Sequence, residues 1–172
     1  MSALPFDAEI RDLRPDDVDA LLAFINPLIA EDTYIDMSGA PLTRSEEEAF
    51  VAQKRAEMAL GDGVMRIAVA GGQVLASGEL RRYPGRRRHV AELGVTVSAE
   101  HRDHGLGTAM VRDLCAQAPR LGVRRLVLRV FGNNERAQQV YRNCGFVEVG
   151  RIPAMVHFRG EDVDEIWMTL TV

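Results

Sequence analysis

The chain has 172 residues, of which 47% are hydrophobic, a length and composition that predict one domain over residues 1–172 with a sizeable core. A charged fraction of 27% argues against disorder, and a net charge of −4 argues against non-specific binding to nucleic acid. The chain has neither a leader-like N-terminus nor about 18 consecutive apolar residues to span a membrane, so we expect a cytoplasmic protein without a membrane partner.

Apolar periodicity, helix caps and glycine-bearing turns divide the chain into seven strands and four helices. The predicted elements are, in chain order, strand Ile10–Arg14, a helix from Asp16 or Asp17 to Ile29, a helix from Thr43 to about Leu60, strands Val64–Ala70, Gln73–Arg82 and His89–Val97, helix Gly105–Ala118, strand Arg125–Val130, helix Asn134–Asn143, and strands Phe146–Arg151 and Ile166–Leu170. A loop over Asp32–Ala40 follows the first helix, and a polar loop around Gly160 joins the last two strands.

The stretch Arg102–Thr108 (RDHGLGT) lies between a strand pattern and a helix pattern. A glycine-bearing turn in this place aims unpaired N–H groups and the positive end of a helix dipole at one point, which suits a phosphate or pyrophosphate. Glycines 105 and 107 let the backbone approach an anion closely, and Arg102 can add a charge-assisted contact. Taken alone, the pattern also fits an ordinary strand-to-helix turn, and it is neither the dinucleotide-binding nor the P-loop fingerprint.

A second pattern covers residues 130–146 and follows the next strand. Asn134 is a good helix N-cap, and Gly145 is a helix terminator. Four residues recur at helical spacing on one face between them: Ala137, Val140, Tyr141 and Cys144. Tyr141 is therefore expected on the buried face of a short helix, where it either packs in the core or belongs to a site.

Together the two patterns resemble those of the GCN5-related N-acetyltransferase (GNAT) superfamily. The first is similar to its acyl-CoA pyrophosphate signature, R/Q-x-x-G-x-G/A, which is filled by Arg102, Gly105 and Gly107. The second is similar to its downstream pattern V-x-x-x-N-x-x-A-x-x-x-Y-x-x-x-G-F, which is filled by Val130, Asn134, Ala137, Tyr141, Gly145 and Phe146. The predicted order of elements is also that of the family. The resemblance implies an α/β protein with the GNAT fold, a mixed central β-sheet of about seven strands with four helices on its two faces.

The resemblance further implies acetyl-CoA as the cosubstrate. In the family, the strands that correspond to Ala91–Val97 and Leu126–Val130 splay apart, pantetheine enters the gap, and a backbone N–H near Val95 polarises the thioester carbonyl. Gly94 in mid-strand is consistent with a bulge there. The implied cofactor-binding residues are Val95, Val97, Arg102, Asp103, His104, Gly105, Leu106, Gly107, Thr108 and Asn134. Asn134 has the helix cap as its alternative role.

Two side chains are candidates for proton transfer. By the resemblance, Tyr141 is the general acid: a tyrosine with a pKa of about 10 stays protonated at neutral pH and can donate to a leaving thiolate whose pKa is about 8.5. Glu92 shares a strand face with Gly94 and Thr96, so it is a candidate base for the acceptor amine, directly or through water. The alternative for Glu92 is an ion pair with one of the many arginines.

Acceptor recognition is assigned to the Asp32–Ala40 loop, the hairpin near Arg81–Arg88 and the loop before Ile166. The stretches Asp32–Ile35 and Pro41–Glu47 resemble the acceptor side of bacterial amino-acid and phosphinothricin-type N-acetyltransferases. The resemblance thus implies acetyl transfer to the primary amine of an amino acid or similar small molecule by direct attack. Protein N-terminal or lysine acetylation and acyl-CoA binding without turnover stay open as alternatives.

Other partners receive less support from the residues. The two cysteines fall on apolar helix faces and are expected to be free thiols, and with four scattered histidines they do not predict a metal site. A homodimer is among the expected assemblies, because homodimers are frequent in the superfamily.

Overall fold

The structure, a computed structural model, describes residues 4–172. Its main elements are, in chain order, β1 (Glu9–Asp12), α1 (Val18–Ala30), α2 (Arg44–Ala59), β2 (Gly63–Ala70), β3 (Gln73–Arg82), β4 (Val90–Val97), α3 (Leu106–Gln117), β5 (Arg125–Phe131), α4 (Glu135–Asn143), β6 (Val147–Phe158) and β7 (Glu161–Thr171). Each predicted strand and helix is present in the predicted order, and the ends differ by no more than two residues except in the last two strands.

The strands form a mixed sheet in the order β1-β2-β3-β4-β5-β7-β6. Every neighbouring pair is antiparallel except β4 and β5, which run parallel. The predicted GNAT fold, a mixed sheet of seven strands with four helices, is confirmed. Because the carboxyl ends of parallel strands meet at one edge of a sheet, β4 and β5 direct their following loops to the same place.

The helices cover the two faces of the sheet in pairs. On one face, apolar side chains of α1 and α2 pack on β2, with Phe24, Val51 and Ile67 among the buried members. On the other face, α3 and α4 pack over the middle strands, with Val111, Leu114 and Leu126 fully buried. Within residues 4–172, no helix combines the length and the apolar character needed to cross a membrane.

The parallel strands β4 and β5 pair over a short distance only. Their register runs from Val90 opposite Arg125 to Glu92 opposite Val127, and the pairing stops there. Beyond that point β4 keeps its partner β3, and β5 keeps its partner β7. The expected parting of the two strands is confirmed, and it opens a gap in the sheet beside the second half of β4.

Two local expectations were wrong. The register of β4 on β3 continues without a shift through Gly94, so the bulge predicted there is absent, and the gap arises because β5 turns away. Neither Asp16 nor Asp17 caps α1 with its side chain: Asp17 instead accepts from the Arg14 N–H at 2.7 Å and pairs with Arg11 at 2.7 Å. The Thr43 capping box is confirmed at the start of α2.

The polar loop predicted around Gly160 is a tight turn within a long hairpin. β6 extends to Phe158 and β7 begins at Glu161, so only Arg159 and Gly160 connect them, both with positive φ. β6 is an edge strand that is exposed along most of its length, and its pairing with β7 shifts register twice. An exposed strand with shifted register needs no regular alternation of apolar and polar residues. The sequence of β6 therefore did not predict its full length.

Candidate active site

Two adjoining cavities flank the gap between β4 and β5. The first, here called the α3-side cavity, has a volume of about 220 Å³ and reaches the turn before α3. The second, the α2-side cavity, has a volume of about 550 Å³ and is roofed by α1 and α2. The two cavities share the residues Tyr34, Ile35, Val95, Thr96, Asn134, Ala137 and Tyr141. A molecule in one cavity would therefore touch the same side chains as a molecule in the other.

The turn before α3 has the geometry of an anion site. Gly105 has a φ of +83°, a left-handed conformation that glycine adopts without strain. The first main-chain helix bond runs from the Ala109 N–H to the Gly105 carbonyl, and no side chain caps the helix. The N–H groups at the start of α3 thus lack intrahelical acceptors and point with the helix dipole toward the α3-side cavity.

Most of the residues predicted for cofactor binding line the α3-side cavity. They are Val95, Val97, Arg102, Asp103, Gly105, Gly107, Thr108 and Asn134. His104 and Leu106 do not line it: the Leu106 side chain is buried in the core, and His104 is exposed with its Nδ1 2.6 Å from the Arg102 carbonyl oxygen. For Leu106 only the main chain is left as a means of contact with an anion, and for His104 the contact remains a prediction.

The guanidinium of Arg102 has a partner of its own. It donates two short hydrogen bonds to the Glu31 carboxylate, at 2.5 and 2.7 Å, and its Nε donates to the Val97 carbonyl at 3.2 Å. These bonds hold the pKa of Glu31 below its ordinary value. Arg102 thus ties the turn to the end of α1 and to β4, and its contact with a phosphate remains a prediction.

Arg136 is a cation at the cavity that the sequence analysis missed. It lies in the first turn of α4, lines the α3-side cavity and donates to Asp103 at 3.2 Å across the mouth of that cavity. Both side chains are well exposed, so the pair gains little from the contact and can open readily. The position is unconstrained in the downstream family pattern, which is why the pattern gave no signal for it.

Tyr141 stands where the two cavities meet. Its side chain is 8% exposed and packs edge-on against Phe146. No hydrogen bond from the described residues reaches its hydroxyl, and no fully enclosed side-chain polar atom of residues 4–172 lacks a partner, so the hydroxyl must face the cavities. Burial raises the pKa of Tyr141 to about 12, which keeps the phenol protonated at every pH at which the fold would be studied.

Asn134 is placed both to cap α4 and to contact a molecule in the cavities. Its side chain accepts from the Ala137 N–H at 3.2 Å, which confirms the predicted N-cap of α4. It also lines both cavities. A contact with a bound molecule remains a prediction.

Glu92 is held by basic and phenolic donors. Arg129 donates to it at 2.8 Å, Arg81 at 3.0 Å and the Tyr83 hydroxyl at 3.3 Å. Although burial alone would raise its pKa, the hydrogen bonds from Arg129 and Arg81 bring the pKa of Glu92 below its ordinary value. It lines neither of the two cavities that meet at Tyr141, but a smaller cleft next to them. These contacts favour the ion-pair alternative, and the role of Glu92 as a base remains a prediction.

Neither cysteine is placed as a nucleophile. Cys115 and Cys144 line neither cavity at the gap. Burial raises the pKa of Cys115 to about 11 and raises that of Cys144 as well, so both are thiols at neutral pH. Since the thiolate is the reactive form, neither sulfur is an activated nucleophile.

Comparisons with known proteins agree with this arrangement. A candidate phosphinothricin acetyltransferase of Bacillus subtilis, YwnH, is 25% identical over 86% of this chain and 89% of its own length. The L-amino acid N-acetyltransferase AaaT of Escherichia coli is 33% identical over 48% of this chain and 52% of its own length. The structure of yncA, a candidate acetyltransferase of Salmonella typhimurium solved with acetyl-CoA, superposes with a TM-score of 0.83 at 19% identity, covering 95% of this chain and 93% of that one.

The family assignment rests on the sequence itself. Residues 30–146, more than half of the chain, match the sequence model of the acetyltransferase (GNAT) family. That span contains α2, all the residues that the two cavities share, and the two sequence patterns that carry the resemblance. The chain belongs to the acetyltransferase (GNAT) family and is an acyltransferase.

Proposed function

We propose that this acyltransferase, a single domain over residues 1–172, transfers the acetyl group of acetyl-CoA to the primary amine of an amino acid or similar small molecule. The observation that carries the proposal is the meeting of the two cavities over Tyr141. One cavity has the features of an anion site, and the other is roomy, apolar and lined with carboxylates, as a site for an amine would be.

The α3-side cavity fits the cosubstrate. Free N–H groups at the start of α3 suit a pyrophosphate, and the exposed Arg136 supplies a cation that can exchange Asp103 for a phosphate. The second half of β4 has no β5 partner, so its main-chain groups facing the gap are free to bond the amides of a pantetheine arm. When bound, acetyl-CoA supplies an activated acetyl thioester at the gap.

Tyr141 supplies the proton for the leaving group. With a pKa of about 12 its phenol holds its proton until a thiolate forms beside it; because a thiol with a pKa of about 8.5 is the stronger acid, the phenol stabilises the thiolate as a hydrogen-bond donor, and a proton that passes to the sulfur is replaced by the one that the attacking nitrogen loses. A free N–H of β4 near Val95 would polarise the thioester carbonyl. Attack is direct, because neither cysteine lines the gap.

The acceptor amine must lose a proton before it attacks. A primary alkylamine has a pKa of about 10.4, so only about one molecule in a thousand is neutral at pH 7. We keep Glu92 as the proposed base because it lies on β4 and lines the same small cleft as Gly94. Its lowered pKa makes it a weaker base and is the observation against this role. A Glu92→Gln variant whose pH–rate profile matches that of the wild type would remove it from this role.

The test is thiol release from acetyl-CoA with a panel of amino acids, amines, polyamines and N-terminal peptides. We expect turnover with at least one small amine and little with peptides. Turnover confined to peptides would move the assignment to protein acetylation. Tight acetyl-CoA binding with no turnover on any acceptor would favour a binding module without catalysis.

A further inference from the structure

The inner face of α2 carries two charged side chains where apolar ones would be expected. Glu47, Val51 and Lys54 follow helical spacing and are all buried, so they point together toward the sheet. Lys54 is satisfied by Glu79 at 2.6 Å and Glu57 at 3.2 Å. Glu47 is seven residues from Lys54, about 10 Å along the helix axis, which is too far for the same ammonium to serve both.

Glu47 is a buried carboxylate without a partner among residues 4–172. It is 3% exposed, and no described residue forms a hydrogen bond or an ion pair with its side chain. Since no fully enclosed side-chain polar atom of that part of the chain lacks a partner, the oxygens of Glu47 must reach open space. The space they reach is the α2-side cavity, which Glu47 lines. A carboxylate costs free energy to bury, so an unpaired one facing a cavity suits a cationic ligand.

The other acidic side chains of the α2-side cavity already have partners. Glu46 closes the capping box with Thr43, Glu79 binds Lys54, and Asp36 lies 3.8 Å from Arg129. Among the described residues that line the cavity, Glu47 is thus the one carboxylate free to form an ion pair with a cationic ligand.

The same cavity offers little to a ligand that carries a carboxylate. Arg129 is the one cation among the described residues that line it. Its guanidinium is surrounded by Glu92 at 2.8 Å, Glu165 at 3.7 Å and Asp36 at 3.8 Å. Much of the remaining wall is aromatic or aliphatic, with Phe24, Phe50 and Phe131 among its members. The lining therefore favours an apolar body with a positive charge and repels a negative one.

We propose that Glu47 binds the cationic amino group of the acceptor, and that the preferred acceptor is an amine with an aromatic or aliphatic body and no free carboxylate. The inference rests on the proposed function and narrows its substrate class to amines such as decarboxylated amino acids. Glu47 is a binding residue in this account: it draws in the ammonium form of the acceptor, and after the proton is lost the neutral amine attacks beside Tyr141, which lines the same cavity and keeps the catalytic role.

The kinetic test compares 2-phenylethylamine with L-phenylalanine, which differ by one carboxylate. For the wild type we expect the higher kcat/KM with the amine. Glu47→Gln should raise KM for the amine roughly ten- to a hundredfold, because a hydrogen bond to a charged group is lost, while kcat stays within about threefold. KM for phenylalanine should change less or fall. Glu48→Gln, which alters the adjacent exposed residue that pairs with Arg44, is the matched control and should leave both KM values unchanged.

A binding measurement separates this inference from the proposed function. Calorimetric titration of 2-phenylethylamine into the protein with coenzyme A needs no turnover. Binding to the wild type and to Glu48→Gln, with a loss of tenfold or more in Glu47→Gln, supports the assignment even if no acceptor is acetylated. No binding to the wild type, equal binding to Glu47→Gln, or a wild-type preference for phenylalanine that Glu47→Gln leaves unchanged would overturn it.

Discussion

At the scale of single residues, the proposed chemistry depends most on the environment of Tyr141. Its phenol is buried, faces the junction of both cavities and has a pKa raised to about 12. We predict that Tyr141→Phe lowers kcat by roughly a hundredfold, as expected for loss of a general acid, and leaves the Kd for acetyl-CoA within about twofold. Steady-state kinetics and calorimetry on the same preparation would measure the two effects.

Tyr83 provides the matched control for that experiment. Its hydroxyl donates to Glu92 at 3.3 Å, and it lines neither of the cavities that meet at Tyr141. Tyr83→Phe removes the same oxygen from a different place; because that oxygen donates to the proposed base Glu92, the variant should shift the pH–rate profile but should not lower the plateau kcat a hundredfold. A wild-type kcat in Tyr141→Phe would exclude the tyrosine as the acid.

The buried carboxylate of Glu47 should also be visible in stability. Burial raises the pKa of Glu47 above its ordinary value, so the folded state binds the proton more tightly than the unfolded state does. Stability from this group is present below the ordinary pKa and is lost as the pH rises through the raised one. We predict that Glu47→Gln gains stability relative to the wild type as the pH increases from 4 to 8, measured by urea unfolding.

The sequence alone could single out Tyr141, but it named Glu47 only as the end of the Pro41–Glu47 stretch on the acceptor side and did not name Arg136. The tyrosine occupies a spaced pattern with Asn134 and Gly145, and the structure brings it to the predicted gap. Glu47 follows a capping box in a run of three glutamates, where local patterning predicts an exposed, solvated charge. Only the packing of α2 over β2 shows which of the three points inward.

At the scale of elements, the turn before α3 is held against the end of α1 by an ion pair. Arg102 joins the two through its hydrogen bonds to Glu31. We predict that Arg102→Ala and Glu31→Gln each weaken acetyl-CoA binding by about tenfold, because either change releases a charged hydrogen bond that positions the turn. Calorimetric Kd values for the two variants measure this directly.

Comparing the affinity losses of Arg102→Ala and Glu31→Gln shows whether Arg102 positions the turn or contacts the cosubstrate. Similar losses are expected if the arginine acts by positioning the turn. A large loss in Arg102→Ala together with wild-type affinity in Glu31→Gln would instead show that the guanidinium contacts the cosubstrate itself.

Elements with a clear period or cap were predictable, and those without were not. The Thr43 box, the Asn134 cap and the hairpin β2–β3 all have strong local signals, and all three are present. The extent of β6 and β7 was missed, because an exposed edge strand with two register shifts has no regular alternation. The mutual placement of Arg102 and Glu31, 71 residues apart in sequence, depends on tertiary packing that no local pattern encodes.

At the scale of the whole molecule, β6 presents an apolar edge to solvent. Val147, Val149, Ile152 and Met155 have exposures between 40% and 61%. If the expected homodimer forms, this surface would bury them, and we predict that Val149→Lys shifts the protein toward monomer in sedimentation velocity at a fixed concentration. Leu60→Lys changes an exposed leucine elsewhere and should leave the sedimentation coefficient unaltered. A wild-type protein that is monomeric at every concentration would remove the homodimer from the account.

The whole fold places one tyrosine in the wall of two cavities, and we propose that the two substrates meet there. The parting of β4 from β5 opens the sheet, α3 and α4 shape one cavity, α1 and α2 roof the other, and the shared wall includes Tyr141. In the proposed reaction both substrates are present together, because the acceptor attacks the thioester directly and neither cysteine lines the gap to hold the acetyl group between two half-reactions.

The initial-velocity pattern tests this central claim most directly. Rates measured over a grid of acetyl-CoA and acceptor amine concentrations, drawn as double-reciprocal lines, should intersect, because direct attack requires a ternary complex. Parallel lines would show a covalent acyl-enzyme and a ping-pong mechanism, and they would contradict the account.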